Sequence, residues 1–208
     1  MRYNELTFQG RNAVLEAFRS GKTIDKLFIL DGCQDGPIKS IVREAKKTDA
    51  IINYVDKERL DRLAGTGHHQ GVVAIGAAYE YAEVDDILAA AKEKGEDPFI
   101  FILDEIEDPH NLGAIIRTAN LAGAHGVIIP KRRAVGLTAT VAKTSAGAIN
   151  YTPVAKVTNI SQTIEELKKQ GLWFVCADMG GETMYNLNLK GPIGLVIGNE
   201  GNGVSRLV

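Results

Sequence analysis

The second half of the chain alternates short apolar runs with longer amphipathic ones, and this alternation constrains the fold more than any other feature. In chain order it predicts strands at 99–103, 127–129, 173–177 and 194–197, and helices near 112–122, 137–144 and 160–170. Short apolar strands separated by helices are typical of a parallel sheet that is buried on both faces. We therefore predict an α/β domain over 97–208, with ligands at the carboxyl ends of its strands.

The first 76 residues show a similar alternation and are predicted to form a separate, compact α/β domain. Its predicted elements are helices at 11–19, 37–47 and 57–64 and strands at 26–30, 51–55 and 72–75. Residues 77–86 are polar and acidic without a clear period. We interpret 77–96 as a linker that contains a helix ending near Lys94 and a turn at Gly95.

The composition argues against several classes of protein. The first twenty residues carry charges throughout, and no run is apolar for long enough to cross a bilayer, so the sequence favours a cytoplasmic protein. Cys33 and Cys176 lie far apart without metal-ligand spacing, which indicates two reduced thiols. The adjacent His68 and His69 cannot share one chelating face, and no metal site is expected.

The charge is distributed unevenly along the chain. The net charge is −2, with 12 basic and 10 acidic residues up to Gly76 and 12 basic against 16 acidic residues after it. The balances are therefore +2 and −4. A protein with this composition has no overall excess of positive charge, but it could hold RNA through local basic patches.

The first of two unusual loops comprises residues 104–113, DEIEDPHNLG. Pro109 restricts its backbone, and Asn111 is the predicted N-cap of the helix that follows. Arg117 is predicted on the polar side of that helix, near its positive N-terminus, where an anion such as phosphate would be stabilised. The alternative is an ordinary capped helix with a solvated arginine.

The second unusual loop comprises residues 197–204, IGNEGNGV. Its three glycines allow tight turns and a close approach of the backbone to a ligand, and Glu200 is a single carboxylate among them. The loop matches neither the dinucleotide-binding fingerprint nor the phosphate-binding P-loop. A tight surface turn remains the alternative.

Two shorter stretches are also notable. Residues 131–133, KRR, form a basic patch that could meet RNA phosphates, although such patches are most often simply solvated. Residues 144–148, TSAGA, are small, which permits either close packing or close approach of the backbone to a ligand.

Taken together, these stretches resemble the SpoU family of RNA 2′-O-ribose methyltransferases. Residues 108–119 resemble the first family signature, 195–204 the second, and 144–148 the stretch between them. Residues 10–17 and 68–74 are similar to the RNA-binding module like ribosomal protein L30 that many members carry. The resemblance covers essentially the whole chain and is nearest to the bacterial 23S ribosomal RNA guanosine-2′-O-methyltransferases.

The resemblance implies a SPOUT-type parallel sheet with a trefoil knot, S-adenosylmethionine as cofactor, an RNA substrate and a homodimer. It implies that Asn111 and Arg117 face the ribose and phosphate and that Glu200 shapes the catalytic pocket. It assigns the cofactor to Ile197, Gly198 and Gly201, with Ala177 and Asp178 as further candidates. The residues that it assigns to RNA binding are Arg11, Asn12, His69, Gln70, Arg132, Arg133 and Ser145.

The family also has a third signature, a strand and helix with a Ser-Leu-Asn run, which would follow the second signature. This sequence ends at Val208, so we expect an incomplete knot and weak binding of S-adenosylmethionine. Because a guanidinium stays protonated in proteins, Arg117 is expected to clamp a phosphate rather than act as a free base.

Three other functions remain open at this point. One is a noncatalytic RNA-binding protein that assists ribosome assembly, and another is a methyltransferase that acts on transfer RNA. The third is a nicotinamide-dependent oxidoreductase, which the missing dinucleotide fingerprint disfavours.

Overall fold

The computed structural model describes residues 6–48, 50–65, 67–206 and 208. The chain divides into two compact units. The first unit comprises the residues up to Glu80 together with 136–139, and the second comprises 81–135 and 140–208. Within the described ranges, no helix is both long and apolar enough to cross a membrane.

The first unit contains a four-stranded sheet flanked by three helices. Its elements are β1 (Leu6–Gln9), α1 (Arg11–Arg19), β2 (Ile24–Leu30), α2 (Gly36–Lys47), β3 (Ile51–Val55), α3 (Lys57–Ala64) and β4 (Val72–Gly76). The strand order is β1-β4-β2-β3, in which β2 and β3 are parallel and β4 is antiparallel to both β1 and β2. The predicted helices and strands are present, whereas β1 was not predicted.

Alternation along β2 places helices on both faces of this sheet. Leu27 and Ile29 pack in one apolar cluster with residues of α1 and α2, whereas Phe28 packs in another cluster with Leu60 and Ala64 of α3. Successive side chains of a strand point to opposite faces. Therefore α1 and α2 cover one face of the sheet, and α3 covers the other.

The second unit contains a five-stranded, entirely parallel sheet, as predicted. Its elements are α4 (Val84–Lys94), β5 (Phe99–Leu103), α5 (Pro109–Leu121), β6 (Gly126–Pro130), α6 (Ala139–Thr144, with Ala139 counted in the first unit), β7 (Val154–Val157), α7 (Ile160–Lys169), β8 (Trp173–Ala177) and β9 (Ile193–Ile197). The order is β7-β6-β5-β9-β8. Short 3-10 turns lie at Ala148–Asn150 and Met184–Asn186. The short strand β7 and both turns were not predicted.

The helix α4 lies within the segment interpreted as a linker, yet it packs into the core of the second unit. Its Ile87 is fully buried in a cluster with residues of β5, β6 and α7. On β6, Gly126 lies so close that an added Cβ would come 2.5 to 2.8 Å from three atoms of Ile87. The domain boundaries at 76 and 97 remain a prediction.

The strand order reverses between β5 and β9, and this reversal positions the site. From β5 the chain proceeds outward through β6 to β7, whereas β9 and β8 lie on the other side of β5. At such a switch point the loops that follow the two central strands diverge and leave a crevice at their carboxyl ends. The first and second loops are the ones that follow β5 and β9.

The small residues at 144–148 serve close packing at the end of α6. A Cβ on Gly113 of α5 would lie 2.8 Å from Thr144 Cβ and 3.0 Å from the backbone nitrogen of Ser145. The Thr144 hydroxyl donates a hydrogen bond to the carbonyl of Pro109 at 3.2 Å. The start of α5, and with it the first loop, is therefore held against α6.

Candidate active site

The helix α5 begins earlier than predicted, and this corrects the role of Asn111. Asp108 is the N-cap: its Oδ1 accepts a hydrogen bond from the backbone N–H of His110 at 2.7 Å. Pro109 then occupies the first helical position, which suits its fixed φ. Asn111 is consequently an exposed residue in the first turn, and its amide is free from capping.

The position of Arg117 also differs from the prediction. It is exposed, but it is the ninth of the thirteen residues of α5 and not close to the positive N-terminus. It lies six positions after Asn111, which corresponds to about 9 Å along a helix axis and about 120° around it. The two side chains therefore leave α5 in different directions.

The second loop folds back on itself directly after β9. Asn199 and Gly203 exchange two backbone hydrogen bonds of 2.9 and 2.8 Å, which close a tight turn with Glu200 exposed at its tip. A Cβ on Gly198 would overlap the backbone of Gly203. Only glycine fits there, so Gly198 has a structural requirement that is independent of any ligand.

Asn199 joins the second loop to the first. Its Oδ1 accepts the N–H of Gly201 at 2.8 Å, while its Nδ2 donates to the carbonyl of Glu105 at 3.1 Å. A second tie is made by Asp104, which is 5% exposed and whose Oδ2 accepts the N–H of Ser205 at 2.7 Å. Two loops about ninety residues apart in sequence thus hold a fixed mutual position.

Arg133 supports the first loop from another side. Its Nη1 lies 2.9 Å from Glu105 Oε1, and both residues have positive φ, 56° and 55° respectively. The neighbouring N–H of Val135 donates to the carbonyl of Ile106 at 2.9 Å. Arg133, predicted as an RNA contact, is thus paired with the first loop, and both Arg132 and Arg133 are exposed.

The two loops enclose a cleft of about 470 Å³ at the switch point of the sheet. Its lining consists of Ile106, Glu107, Asp108, Asn111, Asn199, Glu200 and Gly201. Three predicted site residues therefore meet here: Asn111, Glu200 and Gly201. Glu107, Asp108 and Asn199 were missed, although each lies within or beside a motif that the sequence had singled out. Within the described ranges, no group of three or more His, Cys, Asp or Glu residues could hold a metal ion.

The remaining cofactor candidates lie at strand ends near the cleft but outside its lining. Ala177 pairs in register with Ile197 at the carboxyl ends of β8 and β9, and Asp178 follows as an exposed residue. Partial burial raises the pKa of the neighbouring Cys176 thiol, and the charge of Asp178 raises it further. The Cys176 thiol therefore ionises less readily than an ordinary cysteine and lies beside a carboxylate.

In the first unit, the structure brings Arg11 and Gln70 together. The backbone N–H of Arg11 donates to Gln70 Oε1, and its Nε donates to the Gln70 carbonyl, both at 3.1 Å. The guanidinium also pairs with Asp35 at 2.6 Å. Asn12 is exposed beside this group at the start of α1.

Two residues predicted to bind RNA are buried instead. His69 is 5% exposed, its Nε2 lies 2.9 Å from Asp61 Oδ1, and its Nδ1 accepts the N–H of Gly71 at 3.0 Å. It therefore fixes the turn that presents Gln70. Ser145 is fully buried and donates its hydroxyl hydrogen to the carbonyl of Ala142, so its side chain supports packing below the site.

Comparisons with known proteins agree with this architecture. Residues 98–208 match the model of the SpoU rRNA Methylase family, and residues 9–82 match the model described as RNA 2′-O ribose methyltransferase substrate binding. A putative TrmH family tRNA/rRNA methyltransferase, YacO of Bacillus subtilis (strain 168), is 52% identical over 200 residues, which cover 96% of this chain and 80% of YacO. The chain belongs to the SpoU rRNA methylase family. This family consists of RNA methyltransferases, as the sequence predicted.

Other relatives extend the agreement to sequence and fold. A putative TrmH family tRNA/rRNA methyltransferase of Staphylococcus haemolyticus (strain JCSC1435) is 47% identical over 205 residues, 98% of this chain and 82% of the relative. The SpoU methyltransferase AviRb of Streptomyces viridochromogenes, solved with AdoMet, has a TM-score of 0.55 at 21% identity and covers 97% of this chain and 75% of its own. The AdoMet-bound rRNA methyltransferase of Sinorhizobium meliloti has a TM-score of 0.51 at 22% identity, covering 96% and 73%. These two structures share the fold.

Replacing Asn199 tests whether its amide holds the two loops together. We expect Asn199→Ala to lower the free energy of unfolding by about 1–3 kcal/mol, because the Glu105 carbonyl and the Gly201 N–H lose their partner. Asn202→Ala is the matched control: this exposed side chain lies three residues away, and we expect a change within about 0.5 kcal/mol. Urea unfolding of both variants provides the measurement. Equal effects would contradict the role of Asn199.

Proposed function

We propose that this chain transfers a methyl group from S-adenosylmethionine to a ribose 2′-hydroxyl of RNA, and that its target is a guanosine of 23S ribosomal RNA in the cytoplasm. The observation that carries the proposal is the cleft in which the two family loops meet, with Asn111 and Glu200 in its lining. The relatives are named as tRNA/rRNA methyltransferases, which leaves both kinds of RNA open. The guanosine and the ribosomal target rest on the resemblance of the sequence.

The cleft suits S-adenosylmethionine in size and charge. Small-molecule sites commonly have volumes of about 300–1,000 Å³, and this cleft has about 470 Å³. Glu107, Asp108 and Glu200 line it, and their carboxylates complement a cofactor that carries a sulfonium and an ammonium group. Ile197, Gly198 and Gly201 would hold the cofactor at the end of β9. When bound, S-adenosylmethionine supplies an already activated methyl group.

The side chains of the cleft would then orient the RNA. The uncapped amide of Asn111 can donate to and accept from sugar hydroxyls, and Glu200 can shape the space around the reacting ribose. Holding the 2′-oxygen in one orientation lowers the barrier because it removes the entropy of alignment from the reaction step. Arg117 would bind the adjoining phosphate and direct one of its oxygens to take the hydroxyl proton.

Methyl transfer can be measured with tritium-labelled S-adenosylmethionine and purified 23S ribosomal RNA. We expect incorporation into one guanosine ribose, and none into a fragment that carries a 2′-deoxyguanosine there. Arg117→Lys should lower the rate by about 100-fold, because a point charge replaces a planar fork that binds phosphate through two contacts.

The outcomes separate the alternatives. Incorporation into transfer RNA alone would contradict the ribosomal target. RNA binding without cofactor binding, measured by calorimetry, would favour an assembly protein. Near-normal activity of Arg117→Lys would contradict the phosphate clamp.

Alkylation of Cys176 tests whether the cofactor reaches Ala177 and Asp178. Because the thiolate is the reactive form and the pKa of Cys176 is raised, labelling should speed up as alkaline pH approaches that pKa. We expect S-adenosylmethionine to slow the alkylation of Cys176 but not that of half-buried Cys33 in the first unit, as resolved by peptide mass spectrometry. Equal rates with and without cofactor, at a cofactor concentration where calorimetry shows binding, would remove both residues from the cofactor site.

We further propose that two copies of the chain form a dimer in which Arg117 of each copy reaches the cleft of the other. Arg117 leaves α5 away from its own cleft. One turn further along the same face, Leu121 is 80% exposed, and Tyr151 is 81% exposed next to the hydrogen bond from Thr152 to Asn120. If these two apolar side chains and Arg117 were covered by a second copy of the chain, less apolar surface would remain in contact with water.

Mixing two inactive variants tests this exchange. Arg117→Ala and Glu200→Ala should each be inactive alone. Their mixture should recover activity, because a mixed dimer would combine intact Glu200 of one copy with intact Arg117 of the other. If mixed dimers form but remain inactive, Arg117 acts within its own chain.

A further inference from the structure

The outer side of α2 carries a basic stripe, defined here as Lys39, Arg43, Lys46 and Lys47. All four are exposed, whereas Ile38, Ile41 and Ala45 bury the opposite side of the helix. At 100° and 1.5 Å per residue, the stripe spans an arc of about 100° and a length of about 12 Å. Four cations are therefore concentrated on one narrow surface.

The single carboxylate within the helix does not neutralise this surface. Glu44 is the one acidic residue of α2, and its oxygen lies 3.0 Å from Lys47 Nζ and 3.6 Å from Arg43 Nε. The hydrogen bond from Lys47 is the main cause that lowers the pKa of Glu44. Among the described residues, Lys39 and Lys46 have no carboxylate partner within salt-bridge distance. The helix thus has a formal charge of +3.

The helix on the other face of the same sheet is charged but balanced. α3 carries Lys57, Arg59 and Arg62, all exposed, together with the acidic residues Glu58 and Asp61, and Asp56 is its N-cap. Arg62 pairs with Glu58 at 3.5 Å. Counted with their N-caps, α3 has three cations and three carboxylates, whereas α2 has four cations and two carboxylates, Glu44 and Asp35. The need for a soluble surface alone therefore does not account for the excess on α2.

The helix dipole accounts for the two lysines at the end of the stripe but not for Lys39 at its start. Lys46 and Lys47 lie in the last turn, where cations are stabilised by the negative end of the helix. Lys39 lies in the first turn, where a cation opposes the dipole. Lys39 therefore stands against local helix energetics and has no described carboxylate partner to offset the cost.

We infer that the basic stripe of α2 binds the phosphate backbone of the RNA substrate. The inference deepens the proposed function, since it assumes that the first unit carries RNA. The stripe begins one turn beyond Asp35, the N-cap of α2, whose carboxylate is already paired with the Arg11 guanidinium. Phosphate contacts of this kind supply affinity and orientation without reading the base sequence.

Two triple variants compare the basic stripe of α2 with the balanced helix α3 on the other face of the same sheet. The first is Lys39→Gln, Arg43→Gln and Lys46→Gln on α2. The second is Lys57→Gln, Arg59→Gln and Arg62→Gln on α3. Each removes three positive charges from exposed helical positions, and glutamine has nearly the helix propensity of lysine and arginine. Thermal unfolding of both variants checks that the fold is kept.

The probe is a fluorescently labelled RNA hairpin with a stem of about 16 base pairs, long enough to span two minor grooves. Its affinity is measured by anisotropy over a series of salt concentrations. For the α2 variant we expect the slope of log K against log salt to become shallower by about 2–3, since each lost phosphate contact removes nearly one unit. For the α3 variant we expect a change below about 1.

Equal changes in the two variants would overturn the inference, because they would reflect general charge rather than a surface. No change in the α2 variant, or no binding by the unaltered chain, would overturn it as well. These binding results do not test the proposed function, which is tested by the methyl-transfer assay. If no methyl transfer is detected but the two variants differ in RNA binding as expected, the catalytic proposal fails and the RNA-binding surface stands.

Discussion

The hydrogen bond from the Asn199 amide to the Glu105 carbonyl is the contact on which the cleft depends. The parallel pairing of β5 with β9 determines where the two loops begin, but it does not determine their course. Asn199 uses both ends of one side chain, because its oxygen closes the second loop and its nitrogen reaches the first. Asp104 adds a charge-assisted bond to Ser205. Such a bond contributes about 1.5–3 kcal/mol, more than most neutral ones, so the loops keep one arrangement.

The fold was largely predictable because its helices and central strands carry clear periodicity. Residues 99–103, for example, form an unbroken apolar run, and the strand is buried as expected. β1 and β7 were missed because each has four residues and lies at the edge of its sheet. Their strand conformation depends on pairing with β4 and β6, which a local pattern does not contain. The N-cap of α5 was misplaced because Asp108 and Asn111 are both good caps, and the Pro109 at the first helical position decides between them.

The site was only partly predictable, for a different reason. The motifs located the loops, but they did not indicate which polar side chains face a ligand and which support the loop. His69 and Ser145 lie within such motifs, yet their hydrogen bonds are directed inward to Asp61, Gly71 and Ala142. The bond from Asn199 to Glu105 joins residues 94 positions apart. A sequence pattern records residue types along the chain and contains no information on such long-range pairs.

Positive and negative charges are concentrated in different units: the cleft of the second unit is acidic, and α2 of the first unit is basic. Three carboxylates line the cleft, so it repels phosphate and favours neutral sugar hydroxyls and a cationic cofactor. The affinity for a polyanion must therefore arise elsewhere, and α2 carries unbalanced cations on the first unit. At physiological salt, electrostatic attraction decays over about 8 Å, so the basic stripe would act mainly on phosphates that it contacts directly. Under the two proposals, the basic stripe would hold RNA on the first unit, and the acidic cleft of the second unit would receive a ribose whose phosphate is bound by Arg117 and not by the carboxylates of the cleft.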